Sequence, residues 1–328
     1  MKKTAIAPSN IAFIKYWGKK DEVLRLPENG SISMCLSNLL TTTTVEFSRD
    51  LKKDSIQIKK DKKLVTPEDE FVEKAIKHID RIRKVAQISD RAKIVTHNNF
   101  PASTGLSASA SGFAALTVAG TAAAGLKLSD QELSVIARQG SGSACRSIPD
   151  GFVEWLDGDT SETSYAQSIY PPKYWDLVDV VAIVSTDKKD IASSLGQKRT
   201  GTNPFFPVRK SHMADKITQI KKFMKEKDFT KFGELVESEA LELHAIFLTS
   251  GLVYLLPESL AVIKEVQKWR VAGLESYFTV NTGQNVHIIV EKKNEKRIIA
   301  QLKKLSYVKE IISNTPSVGT KLSDSHLF

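Results

Sequence analysis

The sequence predicts an α+β fold, and three observations carry that expectation. The N-terminal third is a run of strand-like segments, "TAIAP", "SISMCLS", "TTTTVEFS" and "SIQIKK", rich in Thr, Ile, Val and Ser and broken by Pro, Asn, Gly and Asp. Further on, "DLVDVVAIVST" is a continuous apolar run of the kind found in strands buried on both faces. From about Asp187 the character changes: a polar loop, "LGQKRTGTNPFFPVR", leads into three helical patterns, then "YFTVN", "NVHIIVE", a Lys-rich helix and "YVKEIIS". A chain of 328 residues exceeds the size at which a single hydrophobic core stops growing. Two domains are therefore expected, 1–186 and 187–328.

Between the first strands and that boundary the elements announce their ends. Thr66 as cap, Pro67 in the first turn and Asp69 near capping-box position predict a helix through "FVEKAIKHIDRIRKVAQI". "AKIVTHN" follows as a strand, and Ser129 with Glu132 forms a second capping box before "LSVIAR".

Composition narrows the function classes. The chain carries 47 Lys and Arg against 38 Asp and Glu, a net charge of +9, which favours an anionic ligand. Most of the excess lies in runs such as "DLKKDSIQIKKDKK" and "EKKNEKRIIAQLKK", interleaved with acids as on solvated faces. An RNA-binding surface would interleave basic residues with aromatics, and no such stripe is present. No apolar run approaches bilayer length, and the start "MKKTAIAPSNIAF" has no apolar segment of the signal-peptide kind, so neither nucleic acid nor membrane is expected as a partner and a cytoplasmic location is. Cys35 and Cys145 fit no metal-ligand spacing and are expected to pack as small apolar residues.

Four stretches carry chemistry. "PASTGLSASASGFAALTVAG" follows a strand and opens a helix with residues too small to fill a core. The first-turn amides of such a helix lack intrahelical partners, and small side chains let a phosphate chain approach them; close helix packing is the competing reading of the same residues. "NIAFIKYWGKKD" places Lys15 and Tyr16 on opposite faces of an extended chain, with Lys19 beyond. "RQGSGSACRSIPDGFVEW" surrounds Arg146 with glycine and serine, a planar guanidinium among backbone donors that suits a carboxylate or phosphate. "FTVNTGQNVHII" turns a strand back through Thr282 and Gly283.

With "LPENGSISMCLS" and "DIASSLG", and in this order, these stretches resemble the diphosphomevalonate decarboxylases of the GHMP kinase superfamily over nearly the whole chain. The resemblance implies an N-terminal domain like ribosomal S5, a ferredoxin-like C-terminal domain and a homodimer. It also implies ATP as co-substrate with Mg2+, and an activity in which the 3-hydroxyl of mevalonate 5-diphosphate is phosphorylated, after which phosphate and carbon dioxide leave to give isopentenyl diphosphate. By the same resemblance Lys15 stabilises the transferring phosphoryl group or the developing charge at the 3-oxygen. Tyr16, Lys19, Ser141, Gly142, Ser143 and Arg146 hold the substrate, with Arg146 nearest its carboxylate, and Ser193 and Ser194 close over it. Asn99, Pro101, Gly105, Leu106, Ser107, Ala108, Ser109 and Ser111 line the ATP site, with Ser109 as the candidate protein contact of Mg2+ and no side-chain metal cluster.

Two departures accompany it. "GLSAS" stands where the family usually has "GLASS", exchanging serine and alanine at 107 and 108. "NTGQN" stands for the family's "DAGPN", putting Asn281 where a carboxylate would act as base on the 3-hydroxyl; an amide takes no proton usefully at neutral pH. This leaves two variants of the activity open beside the main reading: decarboxylation of mevalonate 5-monophosphate, and a 3-kinase that stops before carbon dioxide is lost.

Overall fold

A computed structural model describes residues 1–60, 63–102 and 104–328. Among them eight strands form one sheet, ordered Lys321–Ser323, Lys2–Ile14, Ser31–Ser48, Arg91–Asn98, Ser55–Lys60 and Lys63–Val65, with Phe152–Trp155 and Ala166–Tyr170 branching from Ser31–Ser48. The segments "SISMCLS" and "TTTTVEFS" are one strand rather than two. Its register against Lys2–Ile14 slips between Pro8 and Asn10, where proline has no N–H to give the ladder. Threonine hydroxyls then stitch the sheet together: Thr4 to Thr44 at 2.7 Å and Thr43 to Thr96 at 2.9 Å.

Three helices, Asp69–Ala86, Ala108–Ala123 and Asp130–Gly140, cover one face of this sheet. The core between them holds Val45, Phe47, Ile79, Ile82, Ala114, Ala115 and Ala119. The Ser129–Glu132 capping box forms as expected. The first helix starts later than expected: Glu68, not Thr66, is the N-cap, and its carbonyl takes the amides of Phe71 and Val72. Pro67 keeps Thr66 out of helical conformation, so the acids Asp69 and Glu70 fill the first turn.

A second, antiparallel sheet runs Tyr277–Val280, Val286–Glu291, Leu177–Ile183, Glu310–Asn314. Leu177–Ile183 is buried on both faces, as its sequence predicts. One face meets Phe13, Leu36 and Phe232; the other meets Val262, Val266 and Ile298. This strand lies on the N-terminal side of the expected division at 187 yet is hydrogen-bonded into the second sheet, while Lys321–Ser323 returns to the first. The shared core around Phe13, Val181 and Tyr277 joins the two sheets.

The helices Met213–Glu226, Phe229–Thr249 and Pro257–Val271 are the three patterns read from sequence. The polar loop before them also contains two short helices, Ser193–Thr200 and Phe206–Ser211. Both are anchored by long-range contacts: Thr200 accepts from the Trp17 indole at 2.6 Å, Arg209 is buried behind Lys15, and Phe206 packs in a cluster with Trp17 and Phe247. Cys35 and Cys145 are buried, unpaired and packed against Val153 and Trp155.

Candidate active site

The small-residue stretch begins where Arg91–Asn98 ends. Asn99 fastens the entry: its side-chain oxygen accepts from the Leu40 amide and its nitrogen donates to the Asn38 carbonyl. Pro101 accepts from the Thr104 hydroxyl at 3.1 Å, and Leu106 plugs into the core while its carbonyl accepts from Ser9 at 2.6 Å. Gly105 and Ser107 both adopt left-handed backbone, with φ of +94° and +58°. Gly105 is required twice over, because a Cβ there would lie 2.9 Å from the Gly283 backbone. The resulting turn presents Ser107 and the first amides of Ala108–Ala123 at a helix N-terminus that no side chain caps.

The serines divide. Ser109 is exposed beside those amides. Ser111, expected to face the same way, is buried: its hydroxyl lies 2.6 Å from Thr41 and donates to the Ala108 carbonyl. Two residues along the helix, about half a turn, rotate it into the sheet, so it belongs to packing. Ala108 is half-buried against the core.

Opposite this helix mouth lies the turn Asn281–Gly283. The Asn281 side chain donates to the Gly105 carbonyl at 3.2 Å and the Ser107 hydroxyl at 3.3 Å. Its oxygen accepts from Lys15 Nζ at 3.2 Å, and Lys15 also donates to the Ala12 carbonyl at 2.8 Å. Lys15 is buried, and burial brings its amine down to about 7; Glu239 and Asp179 work against that shift, Arg146 and Arg209 with it. His244, which the sequence did not single out, donates from Nε2 to the Asn281 carbonyl at 3.1 Å and is held neutral by burial, its value lowered to about 4.

Lys189 is a second residue that the sequence concealed. Its amine reaches Ser193 at 2.9 Å and the carbonyl and hydroxyl of Thr282 at 2.8 and 3.1 Å; burial lowers it to about 8. Ser193 and Thr282 hydroxyls lie 2.6 Å apart, whereas Ser194 is exposed on the same short helix. In a lysine-rich chain nothing but its place just before "DIASSLG" marks Lys189.

Arg146 forms the far wall. It is 4 % exposed, with both Nε and Nη2 donating to Asn10 Oδ1 and Nη1 donating to Ser31 at 2.8 Å. Asn10 in turn donates to the Ser143 carbonyl at 3.2 Å. Tyr16 packs in a tilted arrangement on Trp155, ring centroids 4.5 Å apart; its hydroxyl reaches Gln197 at 3.5 Å, and burial raises its pKa. A Cβ on Gly142 would strike the Tyr16 ring at 2.8 Å, so this glycine sets how close Ser141–Ser143 and Tyr16 approach. Lys19 is tied to Glu22 at 2.6 Å.

Contacts therefore run from Arg146 through Ser143, Gly142 and Tyr16 to the Ser193 helix, and from there through Thr282 to Asn281, Lys15 and the helix mouth. The site is cationic and walled by small residues, with an uncapped helix N-terminus at one end and the Arg146 guanidinium at the other, a placement that suits phosphoryl and carboxylate groups.

Two family models match the chain: the diphosphomevalonate decarboxylase-like N-terminal domain over residues 7–166, and the mevalonate 5-diphosphate decarboxylase C-terminal domain over 179–324. The diphosphomevalonate decarboxylase of Candida albicans is 37% identical over 316 residues, covering 91% of this chain and 86% of that one. The crystal structure of mevalonate diphosphate decarboxylase from Staphylococcus aureus superposes with a TM-score of 0.92 at 37% identity over 98% of both chains. A solved complex, MDDEF with MVAPP, AMPPCP and magnesium, superposes with a TM-score of 0.92 at 34% identity over 99% of both. The chain belongs to the diphosphomevalonate decarboxylase family, with the GHMP kinase fold.

Proposed function

We propose that this chain phosphorylates the 3-hydroxyl of mevalonate 5-diphosphate with ATP and then releases phosphate and carbon dioxide to form isopentenyl diphosphate. A tertiary hydroxyl is a poor leaving group until it carries phosphate, and decarboxylation then supplies the electron pair of the alkene. Both steps are tasks of positioning and charge stabilisation. The observation that carries the reading is the uncapped helix N-terminus at Ser107–Ser109 beside the Asn281–Gly283 turn, which meets the buried amine of Lys15 and the half-buried amine of Lys189.

The triphosphate would lie against the Ser107–Ser109 amides, where the helix dipole favours it. Among the described residues no group of three or more metal-ligating side chains is present. Magnesium would instead travel with the phosphates, which suits the exposed Ser109 hydroxyl as a contact. The substrate carboxylate would meet Arg146, whose three hydrogen bonds go to neutral acceptors and leave its charge unmatched. Lys189, Ser193 and Thr282 would close over the substrate, and Tyr16, Ser141 and Ser143 would flank it; Lys19 contributes through its pairing with Glu22.

We assign residues 1–176 to one domain and 177–328 to the other, on the strand pairing of Leu177–Ile183. A homodimer is supported by the exposed apolar residues Leu248 at the end of one long helix, Val253 in the connection after it and Leu260 on the next helix. No described helix is long and apolar enough to cross a membrane, and a cytoplasmic location accords with two unpaired, buried thiols.

The test is ADP formation coupled to carbon dioxide release, with mevalonate 5-diphosphate and the 5-monophosphate supplied in parallel. Equal yields of both products from the diphosphate are expected. ADP without carbon dioxide, or turnover of the monophosphate alone, would replace this reading with one of the variants that Asn281 leaves open.

A further inference from the structure

Asn281 raises a question that the fold then answers: which group takes the proton from the 3-hydroxyl when the residue beside it is an amide? The orientation of Asn281 is settled by its donors, since Nδ2 points to the Gly105 carbonyl and the Ser107 hydroxyl. Oδ1 is thereby turned to Lys15. The Lys15 amine has two hydrogen-bond acceptors among the described residues, Ala12 O and Asn281 Oδ1, and both are neutral. An ammonium has three N–H bonds to place, while a neutral amine has two N–H bonds and a lone pair. Neither acceptor is a carboxylate, so no ion pair holds a third proton on the nitrogen.

The charges around it agree. Glu239, on the helix Phe229–Thr249, is already matched: one oxygen accepts from Arg209 and the Lys15 backbone amide, the other from Lys216 at 2.7 Å. Asp179, on the central strand, is engaged by His287 and Asn314. Arg146 and Arg209 oppose a further positive charge, and His244 beside Asn281 is neutral. With burial added, the amine is brought to about 7. A carboxylate at 281 would instead pair with an ammonium and hold the proton on it.

We propose that Lys15, as the neutral amine oriented by Asn281, is the base that removes the 3-hydroxyl proton during phosphoryl transfer. The proposal rests on the functional reading above. The lone pair of Lys15 Nζ forms the new N–H bond; the hydroxyl oxygen uses its freed pair to bond the γ-phosphorus of ATP. The bond from that phosphorus to the β–γ bridging oxygen breaks and leaves its pair on ADP. Lys15 is then an ammonium beside the new 3-phosphate. When the C3–O bond breaks, its pair departs with phosphate, and the pair of the bond to the carboxylate carbon becomes the alkene as carbon dioxide leaves. The Lys15 proton passes to the departing phosphate, restoring the amine.

The test compares the full-length native protein with Lys15→Arg, Asn281→Asp and the double variant. Nuclear magnetic resonance of the ligand-free proteins should show the Lys15 amine titrating near the value of about 7 in the native chain and well above it in Asn281→Asp. With mevalonate 5-diphosphate and MgATP, kcat/KM of the native enzyme should rise through the same pH. Lys15→Arg keeps the charge without a usable lone pair, and should lower kcat by about a hundredfold or more with KM values little changed. In the Asn281→Asp background, whose carboxylate can serve as base, Lys15→Arg should cost about tenfold or less. An active enzyme whose Lys15→Arg form turns over within about threefold of native, or a ligand-free Lys15 that titrates at the ordinary lysine value, overturns the proposal. A native protein that yields neither ADP nor carbon dioxide overturns the functional reading and the base with it, a result distinct from both.

Discussion

Arg209 and Arg146 are both buried to within a few per cent of completeness, and they stand in opposite electrostatic circumstances. Arg209 has carboxylates: Glu239 accepts from its Nη2 at 2.5 Å, Glu242 lies at 3.8 Å, and Lys216 completes the set at 2.7 and 2.6 Å from the two acids. Among the described residues Arg146 has none, only Asn10, Ser31 and the face of Trp155. A buried cation costs several kcal/mol of desolvation unless something compensates it. Arg209 is compensated by the chain itself, so its network is structural: Arg209 donates to the Lys15 carbonyl and Glu239 accepts from the Lys15 amide, fixing that backbone. Arg146 is left for an anion that arrives from solution. Buried charge without an opposite partner therefore marks the site, and fully matched buried charge marks its support.

Breaking the matched network should give the largest effect. Arg209→Met leaves Glu239 buried against Lys216 alone, and a loss of about 3–5 kcal/mol of stability is expected. Urea denaturation would measure it; a midpoint within error of native would mean that this network is not the support inferred here. Arg146→Lys should do the opposite, with stability nearly unchanged and kcat about a hundredfold lower at similar KM, because lysine keeps the charge but loses the planar fork that orients a carboxylate. Unchanged turnover would remove Arg146 from the site.

Lys15 sharpens the contrast through pH. In the unfolded chain its amine titrates near 10.5, and in the folded chain near about 7. Below about 7 the ammonium is present in both states, and the folded state bears the full cost of burying it. Between the two values the unfolded state binds more protons, so this group makes stability rise with pH. Lys15→Met should therefore stabilise the ligand-free protein most at neutral and acid pH, with the gain vanishing as pH approaches 10.5. Thermal denaturation across that range decides it, and a gain independent of pH would refer the effect to packing alone.

These pairs also show what a linear sequence can disclose. Strands such as Lys2–Ile14 and Leu177–Ile183 were legible because β-branched and apolar runs report burial directly. The short helices Ser193–Thr200 and Phe206–Ser211 were not, since they are held by contacts to residues distant in the chain, Trp17 and Thr282 for the first and Lys15 and Glu239 for the second, instead of a periodic apolar face. In the site, Arg146, Lys15 and Asn281 stood out through local context and family resemblance. Lys189 and His244 did not: each acquires its role from Thr282 or Asn281, 93 and 37 residues away, and no spacing encodes that. The matched network of Arg209, Lys216, Glu239 and Glu242 was equally hidden, because in sequence its members look like ordinary charges on helical faces.

The smallest expected effects separate two hydroxyls one helical step apart. Ser111 is buried against Thr41, whose own hydroxyl also donates to Asn98 at 2.8 Å. Removing the Ser111 hydroxyl breaks a neutral buried hydrogen bond, so Ser111→Ala should cost about 1 kcal/mol of stability and leave the KM for MgATP unchanged. Ser109 is exposed beside the helix amides, and Ser109→Ala should leave stability unchanged while raising that KM by about tenfold or less. Ser109→Leu adds bulk over the amides and should raise it further with the fold intact. The two alanine variants thus exchange signatures, one thermal and one kinetic. If Ser111→Ala raised the KM for MgATP as much as Ser109→Ala does, the helix would present a different face to the nucleotide from the one its burial pattern assigns.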